Sequence, residues 1–295
     1  MTARNAVVVR AGRSSKHAEW MQGEAPEFDL IIAAYEPIPD HLMERASRFE
    51  LLPGPKFRGL HALFSKHPDL VAQYDLVALI DDDIECQARD TNQCFRIGLE
   101  RGLSLWQPSL TYDSHFSHTI TLHNRLFYLR YTNFVEMMCP FFRSDHLRAA
   151  LPLFGMGYEC GVDFLWSRLR DESDKAYAVV DAVQVKHGRL IGTQCEALGM
   201  KKGYPFELQR IQRDLDVRFR GPVAYAAIGV DGREIRGRSA MAMRIAPQFF
   251  VIPRAVYPLA RHIGHTLVWP IEFERFLVPE ANKENGVGSV PTAFQ

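Results

Sequence analysis

Leu76-Val77-Ala78-Leu79-Ile80-Asp81-Asp82-Asp83 is an apolar run that empties directly into three carboxylates. The run is short enough to be a strand buried on both faces, which is the signature of a parallel sheet covered by helices. Three adjacent acids at its carboxyl end repel each other unless something cationic lies between them, and a divalent metal is the economical answer. In extended chain Asp81 and Asp83 point to the same side, so both can reach one ion or a metal-phosphate pair while Asp82 points elsewhere. Against this stands the ordinary reading of a D-x-D as an acidic turn after a strand, and only context decides between them.

Outward from that strand, the order is β-α-β. Residues 6–10 and Phe28 to Tyr35 read as two strands, with a polar stretch between them that can carry a helix near His17 to Met21. Glu50 to Gly54 predicts a short third strand, followed by a helix from Lys56 through Phe64 and into Asp69 to Gln73. Beyond the acids, Asp90 to Arg101 has helical spacing and Leu103 to Pro108 reads as a strand. The apolar and aromatic stretch from Phe127 to Phe142 predicts one further strand reaching the site. Gly155 to Asp163 is a glycine-rich loop opening a helix at Phe164 to Trp166, and Ala176 to His187 is a last strand ending in histidine. The expected class is α/β, with a mainly parallel sheet whose ligands gather at the carboxyl ends of the strands. The expected division is a catalytic domain over 1–204 and a mostly helical C-terminal extension over 205–295 packed on it, with a frayed tail from Pro279.

Composition narrows the partners. The 295 residues carry 35 acidic and 35 basic side chains, so no global charge favours nucleic acid. A hydrophobic content of 47% supports a sizeable core. Cys86, Cys94, Cys139, Cys160 and Cys195 are odd in number and form no C-x-x-C pair, which fits a reducing compartment. The opening residues lead straight into a strand rather than a signal-peptide core, and no apolar run nears the roughly 20 residues that span a bilayer. A cytoplasmic protein is expected. Residues 236–262 hold five arginines and no acids among apolar residues, so peripheral membrane contact is one reading. Pro247, Pro253 and Pro258 would break a long amphipathic helix there, which favours a segment packed on the catalytic domain.

The order of Arg10, the Asp triplet, a tryptophan-proline strand, a glycine-rich loop with Asp163 and a strand ending in His187 resembles the GT-A class of nucleotide-sugar glycosyltransferases. Leu79 to Asp83, Phe134 to Pro140, Gly157 to Asp163 and Val180 to His187 also look like an uncharacterised glycosyltransferase-like family of plants and bacteria. The likeness covers roughly residues 6 to 195. It implies a GT-A-like fold and transfer of a sugar from a nucleotide-diphosphate donor to a carbohydrate or other hydroxyl acceptor. It also implies a metal on the donor diphosphate, and Asp81, Asp83 and His187 would hold it; hard oxygen ligands favour Mn2+ or Mg2+.

If the reaction inverts the anomeric centre, a carboxylate must take the acceptor's proton, with Asp163 first choice and Glu136 and Glu159 as rivals. Asp163 also has an ordinary alternative as a helix N-cap. Arg10, Arg13 and Lys56, with Asp81 and Asp82, are candidates for holding the donor's base or diphosphate. Trp106 and Trp166 either stack on sugars or fill core. Asp113, His115 and His118 cluster in a polar stretch without metal-ligand spacing. Two other functions remain open: a non-catalytic nucleotide- or sugar-binding module on a transferase fold, and a D-x-D phosphatase using its first Asp as nucleophile. The G-x-G-x-x-G spacing of a Rossmann dehydrogenase is absent.

Overall fold

The computed structural model describes residues 4–170, 173–189, 203–217, 219 and 221–236. The segment 237–295, and with it nearly all of the basic-apolar stretch, the frayed tail and, further upstream, Cys195, lies outside the described residues.

Four strands build one half of the sheet: β1 (Asn5–Arg10), β2 (Asp29–Ala34), β3 (Ala46–Leu51) and β4 (Leu76–Asp81). All are parallel and lie in the order β3-β2-β1-β4. β1 and β4 are apolar at successive positions because both faces are covered; Val7 and Val9 join one core and Ala6 and Val8 the other. β3, at the edge, alternates between half-buried and exposed, leaving Phe49 and Leu51 outside. The chain therefore winds from β1 to β3 in one direction and then crosses back to place β4 on the other side of β1. That reversal is a topological switch point at the carboxyl ends of β1 and β4, and the crevice that open α/β sheets form outside such a point is where they bind ligands.

Helix α1 (Lys56–Lys66) presents Phe57, Leu60, Leu63 and Phe64 to one face of the sheet, beside α3 (Ser144–Phe154). It stops at His67, because the following Pro68 disfavours helical backbone in the residue before it. The expected continuation into residues 69–73 is only a 3-10 turn over Val71–Gln73. Helix α2 (Ala88–Arg101) covers the other face with Cys94, Phe95 and Ile97. A reciprocal capping box between Gln87 and Asp90 starts it, and Gly102, left-handed at φ 62°, ends it. Its Gly98 admits the Trp106 ring so closely that a Cβ would lie 2.0 Å from the indole.

The sheet continues through β5 (Ile84–Glu85), β6 (Leu105–Leu110), β7 (Phe127–Thr132), β8 (Phe141–Arg143) and β9 (Tyr177–His187). β8 is antiparallel between β4 and β6, while β9 runs parallel to β6 and antiparallel to β7. The single strand expected over Phe127 to Phe142 is thus two strands in different parts of the sheet. The chain between them leaves the ladder because side chains take over its backbone groups. Trp166 Nε1 donates to Val135 O, and the Gln107 amide oxygen accepts from Glu136 N. Near residue 20 there is one 3-10 turn (Glu19–Met21) rather than a helix, and the third strand lies a few residues earlier than its glycine-proline signal implied.

The Arg130 guanidinium lies fully buried across the β7-β9 pair, where it donates to both Asp181 oxygens at 2.6 and 2.8 Å and to the carbonyls of Ile120 and Leu122. Asp181 sits where the β6-β9 register slips between Pro108 and Ser109.

The strand ending in His187 is not the last. After α4 (Asp163–Trp166) and α5 (Gly203–Asp214), β10 (Ala224–Gly229) and β11 (Glu234–Arg236) extend the same sheet beyond β7. The sheet therefore continues past residue 204, and the described residues between 203 and 236 hold one helix and two strands. The eleven strands of the described residues form a mixed α/β sheet flanked by helices. Among the described residues no helix is long and apolar enough to cross a membrane.

Candidate functional site

The crevice beside β1 and β4 receives the three aspartates, each in a different setting. Asp81 ends β4 in register with Arg10 of β1. Its Oδ1 accepts from Lys56 Nζ at 2.5 Å, and the same ammonium also donates to Met137 O. Burial raises the Asp81 carboxyl to about 6 against the pull of Lys56. Asp82 is buried, and its Oδ2 accepts from Gly12 N at 2.8 Å and from the Tyr35 hydroxyl at 3.1 Å, while Arg189 donates to Oδ1. Gly12 is required at that position, since a Cβ would lie 2.1 Å from the Tyr35 hydroxyl.

Asp83 meets His187 through backbone pairing: Ile84 of β5 lies opposite His187 of β9, and Gly188 N donates to Asp83 O at 3.0 Å. This sets Asp83 Oδ2 3.1 Å from His187 Nε2. Burial opposes charge on Asp83, but the His187 hydrogen bond and the Arg189 charge carry its carboxyl below the ordinary range. Burial likewise opposes charge on His187, and Asp83 overcomes it, raising the imidazole.

Metal bonds of about 2.1 Å place neighbouring octahedral ligands about 3.0 Å apart, so Asp83 and His187 already hold the separation of two ligands on one ion. The other ring nitrogen, Nδ1, faces His115 O at 2.7 Å. With a proton held there, Nε2, which donates to Asp83 in this state, can exchange its own proton for a cation on the Asp83 side, as metal-binding histidines require. The residues present thus fit a hard divalent cation through two protein ligands, with Asp81 alongside but engaged by Lys56. Among the described residues no group of three or more His, Cys, Asp and Glu side chains gathers closely enough to hold a metal unaided. A two-ligand site completed by water and phosphate oxygens is the usual arrangement for Mg2+.

Next to this lies a second group of acids. Asp163 opens α4 and is buried; the preceding Val162 occupies the cap position without a side-chain bond. Asp163 accepts backbone hydrogen bonds, including that of Met137, yet its Oδ1 has no partner, and burial pushes the carboxyl up to about 7. Glu136 is delivered by the irregular segment after β7 and is also buried, with Oε2 unpartnered. Burial first, then the charge of Asp163, holds it well above the ordinary glutamate range despite hydrogen bonds from Ser117 and Thr121. Glu136 is thus biased toward its protonated form, while Asp163 sits near its midpoint at neutral pH. Glu159 lies apart from this pair: it accepts from Phe57 N–H in the first turn of α1, near Arg10, and burial brings it to about 7.

The basic candidates separate. Lys56 belongs to the site. Arg10 is buried, with Nη1 on Ala33 O at 2.9 Å and Nη2 on Gly54 O at 2.6 Å, and it fills the space that a Cβ on Gly59 would need. It locks the ends of β1 and β2 to the loop before α1 instead of reaching for phosphate. Arg13 is exposed and pairs with Glu36 at 3.5 Å. Trp106 and Trp166 are wholly buried and donate to Cys94 O and Val135 O, so both are core. Asp113 pairs with Lys186 at the surface, and the His118 ring packs on Phe134 and Phe164.

Sequence reasoning missed Tyr35, Gly12, the His115 carbonyl and Arg189. Only Arg189 left a signal, by following the strand-end histidine after a single glycine. Gly161, at φ +83°, lets the glycine-rich loop pack so closely on α5 that a Cβ there would lie 2.7 Å from Leu208.

The family described as "Protein of unknown function (DUF707)" matches residues 61–130, from α1 through β7 and including the acidic triplet. No curated protein matches the chain. Among solved structures, the chain is similar to S. aureus TarS 1–349 at 10% identity and a TM-score of 0.44, over 95% of this chain and 73% of that one. The same TarS fragment in complex with UDP-GlcNAc matches at 11% identity and 0.44, over 97% and 76%. Glucosyl-3-phosphoglycerate synthase from Mycobacterium tuberculosis, in complex with Mn2+, UDP-glucose and phosphoglyceric acid, matches at 12% identity and 0.39, over 68% and 77%.

Proposed function

We propose that this chain is a GT-A-like, metal-dependent glycosyltransferase that moves a sugar from a nucleotide-diphosphate donor to an acceptor hydroxyl. The observation that carries the reading is the Asp83-His187 pair, 3.1 Å apart at the strand crossover, its imidazole fixed by the His115 carbonyl. When bound there, Mn2+ or Mg2+ supplies the positive charge that offsets the leaving nucleoside diphosphate.

The chain's own groups support the remaining roles. Lys56 adds a charge beside the crevice and orients Asp81. Asp163, with Oδ1 unpartnered and a carboxyl near 7, is suited to accept the proton of the attacking hydroxyl as the new glycosidic bond forms. Glu136, biased toward its protonated form by burial and by Asp163, disfavours a second negative charge beside that carboxylate.

The test is thermal unfolding with UDP, GDP, CDP and dTDP, each with and without Mn2+. One nucleotide should raise the midpoint only when the metal is present, and Asp83→Ala should abolish the rise. No rise with any nucleotide, or the same rise without metal, contradicts the reading.

A further inference from the structure

Arg189 is the part of the crevice that the proposed reaction leaves without a task. It follows His187 after one glycine and turns back across the acids. Nη2 donates to Asp82 Oδ1, Nε lies 3.4 Å from Asp83 Oδ2, and the guanidinium also hydrogen-bonds to the Tyr35 hydroxyl. The Asp83 oxygen it approaches is the same one that faces His187 Nε2. Asp82 is buried and held by Gly12 and Tyr35, whereas the Arg189 side chain is 31% exposed. One end of the guanidinium is therefore anchored to a fixed carboxylate, and the other rests on the oxygen a cation would use.

We propose that Arg189 couples cation binding to diphosphate binding, an inference that rests on the function proposed above. A divalent ion between Asp83 and His187 repels the guanidinium and takes over Oδ2, while Asp82 retains Arg189 as a pivot. The guanidinium fork, released from Asp83, then lies between the Tyr35-Gly12 side of the crevice and the cation. That is the span a nucleoside diphosphate crosses when its phosphates reach the ion. A fork of parallel N–H groups suits a phosphate better than a point charge does.

The coupling gives two binding constants opposite signs. Mn2+ binding is read from the electron paramagnetic resonance of the free ion. Nucleotide binding is read by calorimetry at saturating Mn2+, with whichever of UDP, GDP, CDP and dTDP binds the unaltered protein. Arg189→Gln removes a like charge next to the cation and should tighten Mn2+ at least about fivefold. The same substitution removes the phosphate fork and should weaken the nucleotide about tenfold or more. Arg189→Lys keeps the competing charge but loses the fork, so Mn2+ affinity should stay near that of the unaltered protein while the nucleotide weakens. Arg189→Lys also decides the matter should Arg189→Gln fail to fold. Constants that move together, or do not move, overturn the proposal while leaving the transferase reading intact. An unaltered protein that binds neither Mn2+ nor any of the four nucleotides overturns both.

Discussion

Asp163→Asn isolates the cost of keeping a carboxylate inside this crevice. The ordinary aspartate value is 3.8, and burial brings Asp163 to about 7 in the folded chain. A carboxyl raised on folding favours the folded state fully below its unfolded value. That advantage declines as pH rises between the two values and levels off above the folded one. A gap of about three pH units, at about 1.4 kcal/mol each, amounts to roughly 4 kcal/mol. Asparagine has nearly the same shape and does not titrate. The stability of Asp163→Asn relative to the unaltered protein should therefore increase by about 4 kcal/mol between pH 4 and pH 8. Urea unfolding of both proteins at several pH values, without metal or nucleotide, measures the difference; titrating groups remote from Asp163 cancel in it, and Glu136, which feels the Asp163 charge, adds to it. Two stability curves that run parallel through this window would refute the assignment of a buried, high-lying carboxyl to Asp163.

Three further outcomes follow from the same geometry. Transfer activity should rise with pH through a midpoint near 7, because Asp163 must lose its proton to act as a base; a rate independent of pH from 5 to 9 removes it from that role. Asp181→Ala should destabilise the fold by about 3–5 kcal/mol in denaturant unfolding, since it leaves the Arg130 guanidinium buried without its carboxylate; a loss below about 1 kcal/mol would show that the pair is not buried as described. Gly98→Ala should cost about 1–3 kcal/mol by driving a methyl into the Trp106 ring, with loss of near-ultraviolet circular dichroism, and an unchanged signal would contradict that packing.

The half of the fold around β1, β2 and β4 was legible because those strands are covered on both faces and so read as continuous apolar runs. The stretch from Phe127 to Phe142 misled for the converse reason. It is mostly apolar, but Phe134 to Met137 lies outside the strands, mostly buried, with backbone groups held by Trp166, Gln107 and Lys56. Hydrophobicity alone does not distinguish these cases. β10 and β11 escaped notice because a small-residue run, Ala224 to Gly229, gives little strand signal despite complete burial.

Within the site, Asp83 and His187 were readable as polar residues at the ends of apolar strands, and Asp163 as the acid where a glycine-rich loop becomes a helix. The mutual repulsion of the three acids was also readable, but its relief was not. Lys56 reaches Asp81 from 25 positions away, and Arg189 reaches Asp82 from 107 positions away, so the charge balance exists only in the folded chain. Arg10 shows the same limit from the other side: a strand-end arginine suits a phosphate, and only the fold reveals that the Ala33 and Gly54 carbonyls already hold it.

The most direct measurement is the anomalous X-ray scattering of Mn2+ in a crystal soaked with the ion and a binding nucleoside diphosphate. The account predicts one peak between the Asp83 carboxylate and His187 Nε2, with phosphate oxygens completing the shell and Arg189 moved off Asp83. A nucleotide bound elsewhere, or an ion held without Asp83 and His187, would contradict it.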